Sequence, residues 1–415
     1  MAHNCAFCST ETQEILDFGE VALAGGFLKC SQLHSEKKYP LRLNYCPSCH
    51  AVQLADVIDA KTLFSDYFYF SGQIDSVKSH FAKYADYVSR WFPHSRVLEI
   101  GCNDGFLLGR FADKGATCIG IDPAKNVIES IKDHRLTLVN DFFDEEVAER
   151  IVAKHGRQDI VIANNVLAHI QDIQGVTRGI GKVLDDRGTL VMEVHYLGKM
   201  IEELQYDWIY HEHLYYYSAT TLANHFDRHG LTVFDVEPVK LHAGSMRYYV
   251  CKKGFRNPSS AVAKLLESEK GWLDNIETYR KFAERVKAHK VELHTLIANL
   301  KKEGATIAGY GASGRANTIL QWCGIDGFHL AYVIDDAPAK ANHYTPGSHL
   351  RIVPRDDERA TPQQYFLILA WPYANDICHK VGGKKIIPLP EVRIVDECDN
   401  GWRDMDGIGQ WRAWK

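Results

Sequence analysis

The chain has 415 residues, 46% of them apolar and 24% charged, which is globular, enough to bury two or three cores, and not the composition of a disordered chain. A formal net charge of −5 gives no electrostatic reason to expect nucleic acid or an anionic membrane as partner. No run of about 18 apolar residues occurs, and the amino terminus lacks a basic region followed by an apolar one. The expectation is a cytoplasmic protein whose eleven cysteines are reduced, buried or metal-bound rather than paired.

In chain order, the first motif is Cys5-x-x-Cys8 with Cys46-x-x-Cys49. Four thiolates so spaced match a tetrahedral zinc site, with Cys30 or His50 able to substitute for one ligand; one redox-active pair, or four simply buried thiols, is the alternative. Such a shell leaves no open position, so zinc would hold residues 1–75 together and do no chemistry. Residues 64–72 then supply an aromatic, hydroxyl-rich patch that includes Tyr67 and Tyr69, with His80 beyond it. Packing between domains is the plainer reading of that patch; reaching into a cleft is the functional one.

Residues 76–255 read as a doubly wound α/β unit. Arg96 to Leu108 is a buried strand, a glycine-bearing turn and an apolar helix; Thr117 to Asp122 is a second strand ending in an acid 21 positions after Gly101. An acid there can accept both hydroxyls of a ribose, and Gly101 and Gly105 let backbone approach a ligand without a Cβ in the way. Their spacing is not that of a pyrophosphate cradle, which favours a nucleoside ligand without phosphates, such as S-adenosylmethionine. Candidate cofactor residues are Glu99, Gly101, Asn103, Gly105 and Asp122, Asp141 and Phe142 beside an adenine, and Asn164 after the fourth strand. His169 follows, as a functional or a capping histidine.

Tyr206 to Ser218 packs two histidines, a glutamate and five tyrosines into thirteen residues, too many proton carriers for a surface helix or an ordinary core. If extended, Tyr210, Glu212 and Tyr216 share one face and His211, His213 and Tyr215 the other. A structural aromatic cluster and a His-x-His metal site are the alternatives. Next, Leu273, Ile276, Tyr279, Phe282, Val286, Leu293, Ile297 and Leu300 recur at helical spacing and form a connector. Gly309, Gly311 and Gly314 then satisfy a dinucleotide fingerprint, with Asp335 about 20 residues later, so an NAD(P)-dependent oxidoreductase is the rival function.

Taken together, the knuckles, Val97 to Gly105, Asn164 to His169, Ile209 to His213, His242 to Tyr248 and Gly311 to Gly324 resemble the S-adenosylmethionine-dependent C-methyltransferases of nucleotide-linked 4-keto deoxysugars. The resemblance runs over nearly the whole chain. It implies an α/β protein: a small N-terminal zinc-binding domain, a Rossmann-like doubly wound methyltransferase domain, and a second Rossmann-like C-terminal domain over 256–415, all around one cleft. It points to His169, Tyr210, Glu212 and His213, with Tyr67 or Tyr69 as the N-terminal contribution, and the chemistry of removing a proton beside a ketone makes His213 the expected base. It places a sugar nucleotide near His242, Arg247, Gly311, Ser313, Arg315, Asn317, Thr318 and Asp335, with helix-terminus physics holding the phosphates. His211 stands where a small polar residue is expected in some relatives, so which histidine faces the sugar is open. Monomer and homodimer are both compatible.

Overall fold

A computed structural model describes residues 3–64, 72, 75–240, 243–357 and 359–396; Tyr67, Tyr69 and His242 lie outside the described residues. Near the amino terminus β1 (Gln13–Ala22), β2 (Lys38–Tyr45) and β3 (Val52–Leu54) form an antiparallel meander. Five strands follow: β4 (Arg96–Ile100), β5 (Thr117–Ile121), β6 (Leu136–Val139), β7 (Gln158–Asn164) and β8 (Leu184–His195). They are parallel neighbours in the order β8-β7-β4-β5-β6. Near-continuous apolar runs such as Val97–Leu98 and Ile160–Val161–Ile162–Ala163 suit strands covered on both faces.

The central stretch is not one extended strand. It opens as a 3-10 turn at Tyr206–Trp208, turns again where the His213 amide donates to the Tyr210 carbonyl at 2.9 Å, and only then forms β9 (Tyr215–Tyr216). The expected alternation of faces therefore fails. β9 pairs with β3, so residues 215–216 complete the N-terminal sheet as its fourth strand. β10 (Leu231–Val239) and β11 (Ser245–Lys252) return to the seven-stranded sheet, β11 running antiparallel between β8 and β10.

A helix at Ile276–Lys302 buries Tyr279, Phe282, Val286, Leu293, Ile297 and Leu300, as their spacing requires. Beyond it lies a second open sheet: β12 (Ile307–Tyr310), β13 (Val333–Ile334), β14 (Ile352–Val353), β15 (Tyr365–Ile368), β16 (Lys384–Ile387) and β17 (Arg393–Val395). Its order is β14-β13-β12-β15-β16-β17, parallel except for β17. Both parallel sheets reverse direction beside their first strand, β4/β7 in one and β12/β15 in the other, and ligands bind beyond strand ends at such switch points. No helix among the described residues is long and apolar enough to cross a membrane.

Candidate active site

The two knuckles close on each other. The Sγ atoms of Cys5, Cys8, Cys46 and Cys49 all lie within 4.8 Å of one another, with Cys5 to Cys49 at 3.5 Å and Cys8 to Cys46 at 3.4 Å. Thiolates about 2.3 Å from a zinc ion stand at such separations. Each knuckle ends in a left-handed residue, Ser9 at φ 63° and His50 at φ 64°, which lets the Ser9 and His50 amides donate back to the Cys5 and Cys46 carbonyls. The hydrogen bond that Cys5 and Cys49 share lowers the Cys5 thiol and raises that of Cys49, and a metal ion would take both as thiolates. Cys30 is exposed and outside the cluster.

At the carboxyl edge of the seven-stranded sheet, Asp122 accepts the Asn103 amide at 3.0 Å and the Ala124 amide at 2.9 Å, one per oxygen. Each oxygen keeps a lone pair for a ribose hydroxyl. Glu99 is buried within the field of Asp104 and Asp122; burial first, and those charges second, raise its pKa well above normal. Its Oε2 has no hydrogen-bond partner among the described residues, a vacancy that a polar group of a ligand would satisfy. Phe142 is 44% exposed beside Asp141, whose carboxylate pairs with Arg150, so an aromatic face stands uncovered at this edge. Asn164 closes β7, and neither its Oδ1 nor its Nδ2 has a hydrogen-bond partner among the described residues. The role of the glycines differs from expectation. A Cβ on Gly101, at φ 69°, would strike Val166 at 2.7 Å, and one on Gly105 would meet Leu136 at 3.2 Å; protein, rather than a ligand, fills that space.

Across the edge sits the central stretch. The rings of His213 and Tyr210 are 4.1 Å apart, and His169 meets His213 edge-on at 4.9 Å. The Trp208 carbonyl is 2.8 Å from His213 Nδ1. A carbonyl only accepts, so Nδ1 carries the proton and Nε2 is the basic nitrogen. Burial, reinforced by the neighbouring His169, holds His213 well below the usual histidine range, and burial lowers His169 to about 4. Both rings are neutral at pH 7. Glu212 is pushed up to about 7 by burial, its Oε1 lying 2.7 Å from where a Cβ on Gly25 would stand. His211 turns the other way: its Nε2 meets the Pro40 carbonyl of β2 at 3.1 Å, and its ring packs on Tyr39. His213, not His211, joins the cluster.

The second glycine turn arrives from the C-terminal sheet. A Cβ on Gly314 would stand 3.4 Å from the Tyr210 ring, and Gly311 needs its φ of 94° to pass Ala370. Several expected phosphate ligands are engaged in other ways. Ser313 caps the helix Gly314–Cys323 by accepting the Ala316 amide at 3.2 Å. Asn317 donates to the Ala24 carbonyl and Thr318 to the Ile209 carbonyl, at 2.5 and 3.3 Å, so these two side chains join domains. Asp335 accepts the Ala312 and Ala337 amides at 2.7 and 2.9 Å, the same device as Asp122, but Lys340 Nζ also reaches it at 3.2 Å. Arg315 donates through Nε to Asp207 at 2.8 Å and keeps a buried Nη2 without a partner among the described residues. Arg247 lies on β11 of the other sheet, where Glu193 at 2.9 Å and Glu237 at 3.0 Å occupy its guanidinium and His80 completes the network through Glu193. The residues missed in the sequence, Asp207, Trp208 and Lys340, touch partners more than a domain away or across a turn, and no spacing announces them.

This sheet order and this edge chemistry define a Rossmann-like methyltransferase that takes S-adenosylmethionine. Profiles for a zinc binding domain, a methyltransferase domain and a C-methyltransferase C-terminal domain match residues 5–64, 77–236 and 240–390. The chain is 30% identical over 404 residues to C-methyltransferase NovU of Streptomyces niveus, covering 94% of this chain and 96% of that one. A shorter match, 30% over 95 residues, joins 22% of the chain to 40% of the Escherichia coli ubiquinone biosynthesis O-methyltransferase. The Synechocystis magnesium protoporphyrin IX methyltransferase with bound S-adenosylhomocysteine is 16% identical, with a TM-score of 0.34 over 46% of this chain and 92% of that one. The chain belongs to the family of S-adenosylmethionine-dependent C-methyltransferases with an N-terminal zinc-binding domain.

Proposed function

We propose that the chain methylates carbon C3 of a nucleotide-diphospho-4-keto-6-deoxysugar by way of an enolate, with His213 as the base. The observation that carries this reading is the hydrogen bond from His213 Nδ1 to the Trp208 carbonyl at 2.8 Å. It leaves a neutral, buried Nε2 able to take a proton from carbon. A ketone at C4 acidifies the hydrogen on C3, and a base held about 3 Å away can remove it. Bound S-adenosylmethionine supplies an electrophilic methyl group. His169 and Tyr210 beside His213 would donate to the enolate oxygen, where preorganised donors contribute most. Glu212, half protonated near pH 7, would pass protons to and from the site, while the Trp208 carbonyl, rather than Glu212 or Tyr210, orients the base.

Glu99, Asp122, Phe142 and Asn164 would hold the cofactor. The amides at the start of Gly314–Cys323 and Arg315 Nη2 would hold the diphosphate. The same turn suits a nicotinamide dinucleotide poorly. Lys340 donates both to Asp335 and to the Ala312 carbonyl at 2.6 Å, so the acid that would accept ribose hydroxyls already carries a cation.

The test is solvent-deuterium exchange at C3 in a panel of nucleotide-linked 4-keto-6-deoxysugars, with S-adenosylhomocysteine bound. Wild type is expected to exchange. His213→Asn is expected to lose exchange by a factor of at least about 100 while binding S-adenosylhomocysteine normally. Undiminished exchange in that variant removes His213 from the role, and no exchange by wild type on any sugar removes the substrate class.

A further inference from the structure

Trp208, whose carbonyl orients His213, is itself held from two domains. The His195 ring at the end of β8 stacks on its indole at 4.3 Å and 24°. The Arg315 guanidinium lies over the same indole at 4.7 Å and over Trp371 at 5.1 Å. Its preceding residue, Asp207, is fully buried. One oxygen of that carboxylate accepts both Arg315 Nε and Trp371 Nε1, each at 2.8 Å. On the far side Thr318 donates to the Ile209 carbonyl at 3.3 Å. Residues 207 and 209 are thus gripped by the C-terminal domain, and the carbonyl between them has little freedom to rotate.

A buried charge pair is weak evidence for stability by itself, because desolvation opposes the attraction. Its established use is to fix one geometry among several. Here the geometry that matters is the direction of the Trp208 carbonyl. Were that carbonyl to turn away, the neutral imidazole could carry its proton on Nε2, and the basic nitrogen would face Trp208 instead of the cleft. A hydrogen bond of ordinary net strength biases such an equilibrium by a few-fold to about tenfold, so loss of the bond is visible as a mixed population.

We infer that Asp207 is a positioning residue: clamped by Arg315 and Trp371, it holds the Trp208 carbonyl on His213 Nδ1 and so lets the C-terminal domain select which nitrogen of His213 is the base. Neither Asp207 nor Trp371 needs to touch a reacting atom. The inference builds on the assignment of His213 above, but its test needs no sugar, so a wrong substrate class cannot produce either result.

The experiment is nitrogen-15 NMR of the histidine-labelled, zinc-loaded full chain with S-adenosylhomocysteine bound, the His213 signals being assigned by their loss in His213→Asn. In wild type His213 is expected as the Nδ1–H tautomer, with Nε2 at the unprotonated position. Asp207→Asn, which keeps the volume but removes the charge, is expected to move Nε2 toward the protonated position as the tautomers mix. An unchanged Nδ1–H tautomer in Asp207→Asn, with S-adenosylhomocysteine affinity within about twofold of wild type, overturns the inference. Should Asp207→Asn fail to bind S-adenosylhomocysteine, Trp371→Phe decides, since it deletes one N–H and keeps an aromatic ring: a partial shift of Nε2 upholds the role and no shift overturns it. A purely structural Asp207 would lower the unfolding midpoint and leave the tautomer alone.

Discussion

Glu212 shows how much one side chain's surroundings decide. Its carboxyl is raised from 4.5 to about 7 by burial, so between those pH values the folded chain holds more protons than the unfolded one. Stability from this group therefore falls as pH rises from 4.5 to 7 and stays lower above, by up to about 3 kcal/mol for a shift of that size. His169, lowered to about 4 from 6.5, acts in the opposite sense: the unfolded chain binds its proton first, so stability falls as pH drops from 6.5 toward 4. Glu212→Gln removes the first effect only. It is expected to resist urea better than wild type at pH 8 and to match it near pH 4.5; an equal difference at both pH values would show that Glu212 is not protonated by its surroundings. Glu212 was visible in the sequence because it sits among histidines and tyrosines. Gly25, which gives its carboxyl room, was not, since the two are far apart in sequence and a lone Gly-Gly reads as an ordinary turn.

Among elements, the helix Ser260–Glu269 ends in a residue that fastens three others. Glu269 is fully buried and accepts the Tyr196 hydroxyl at 2.9 Å, the Ala219 amide at 2.8 Å, and the Thr220 amide and hydroxyl, both at 2.7 Å. A carboxylate over the first turn of Ala219–Arg228 suits that end of a helix, and Ser218 already caps it through the Thr221 amide. This is how the connector locks the close of the central stretch. Glu269→Ala takes the acceptor from the buried Ala219 amide, the half-buried Thr220 amide and two hydroxyls, and is expected to cost about 3–5 kcal/mol. The check is the urea midpoint followed by tyrosine fluorescence, and a change under about 1 kcal/mol would mean that water replaces the carboxylate. The strands around it were readable because buried parallel strands are apolar throughout. The register of the central stretch was not. An extended backbone would put Tyr210 and His213 on opposite faces, yet a turn from Tyr210 to His213 intervenes and brings their rings together.

Over the whole molecule, the two Rossmann-like sheets build the same acid-to-turn contact, Asp122 on Asn103 and Asp335 on Ala312, and differ in one lysine. Fingerprint spacing sees the shared part; it cannot see Lys340 folding back on Asp335. The zinc domain joins both other domains at several places, among them Gln321 on Ala22 and Glu36 on the Gly347 amide. Gln174 and Arg228 hold the Phe7 carbonyl at 3.0 Å, Asn317 holds Ala24, and Gly25 flanks Glu212, while β3 carries β9 and hence the end of the central stretch. A four-thiolate zinc contributes its binding energy directly to folding, so its removal should loosen residues 5–64 and β9 together. The cofactor edge, built from β4 to β7, touches none of these contacts. Chelation of zinc is therefore expected to abolish methyl transfer and C3 exchange while S-adenosylhomocysteine affinity falls by less than about fivefold, within the scatter of a side-chain contact. Cys46→Ser should reproduce the pattern. Calorimetric titration before and after chelation, with exchange measured on the same samples, separates the outcomes. Equal loss of both properties would mean that the three domains fold as a single unit, and loss of neither would mean that the N-terminal sheet stands on its hydrophobic contacts without the metal.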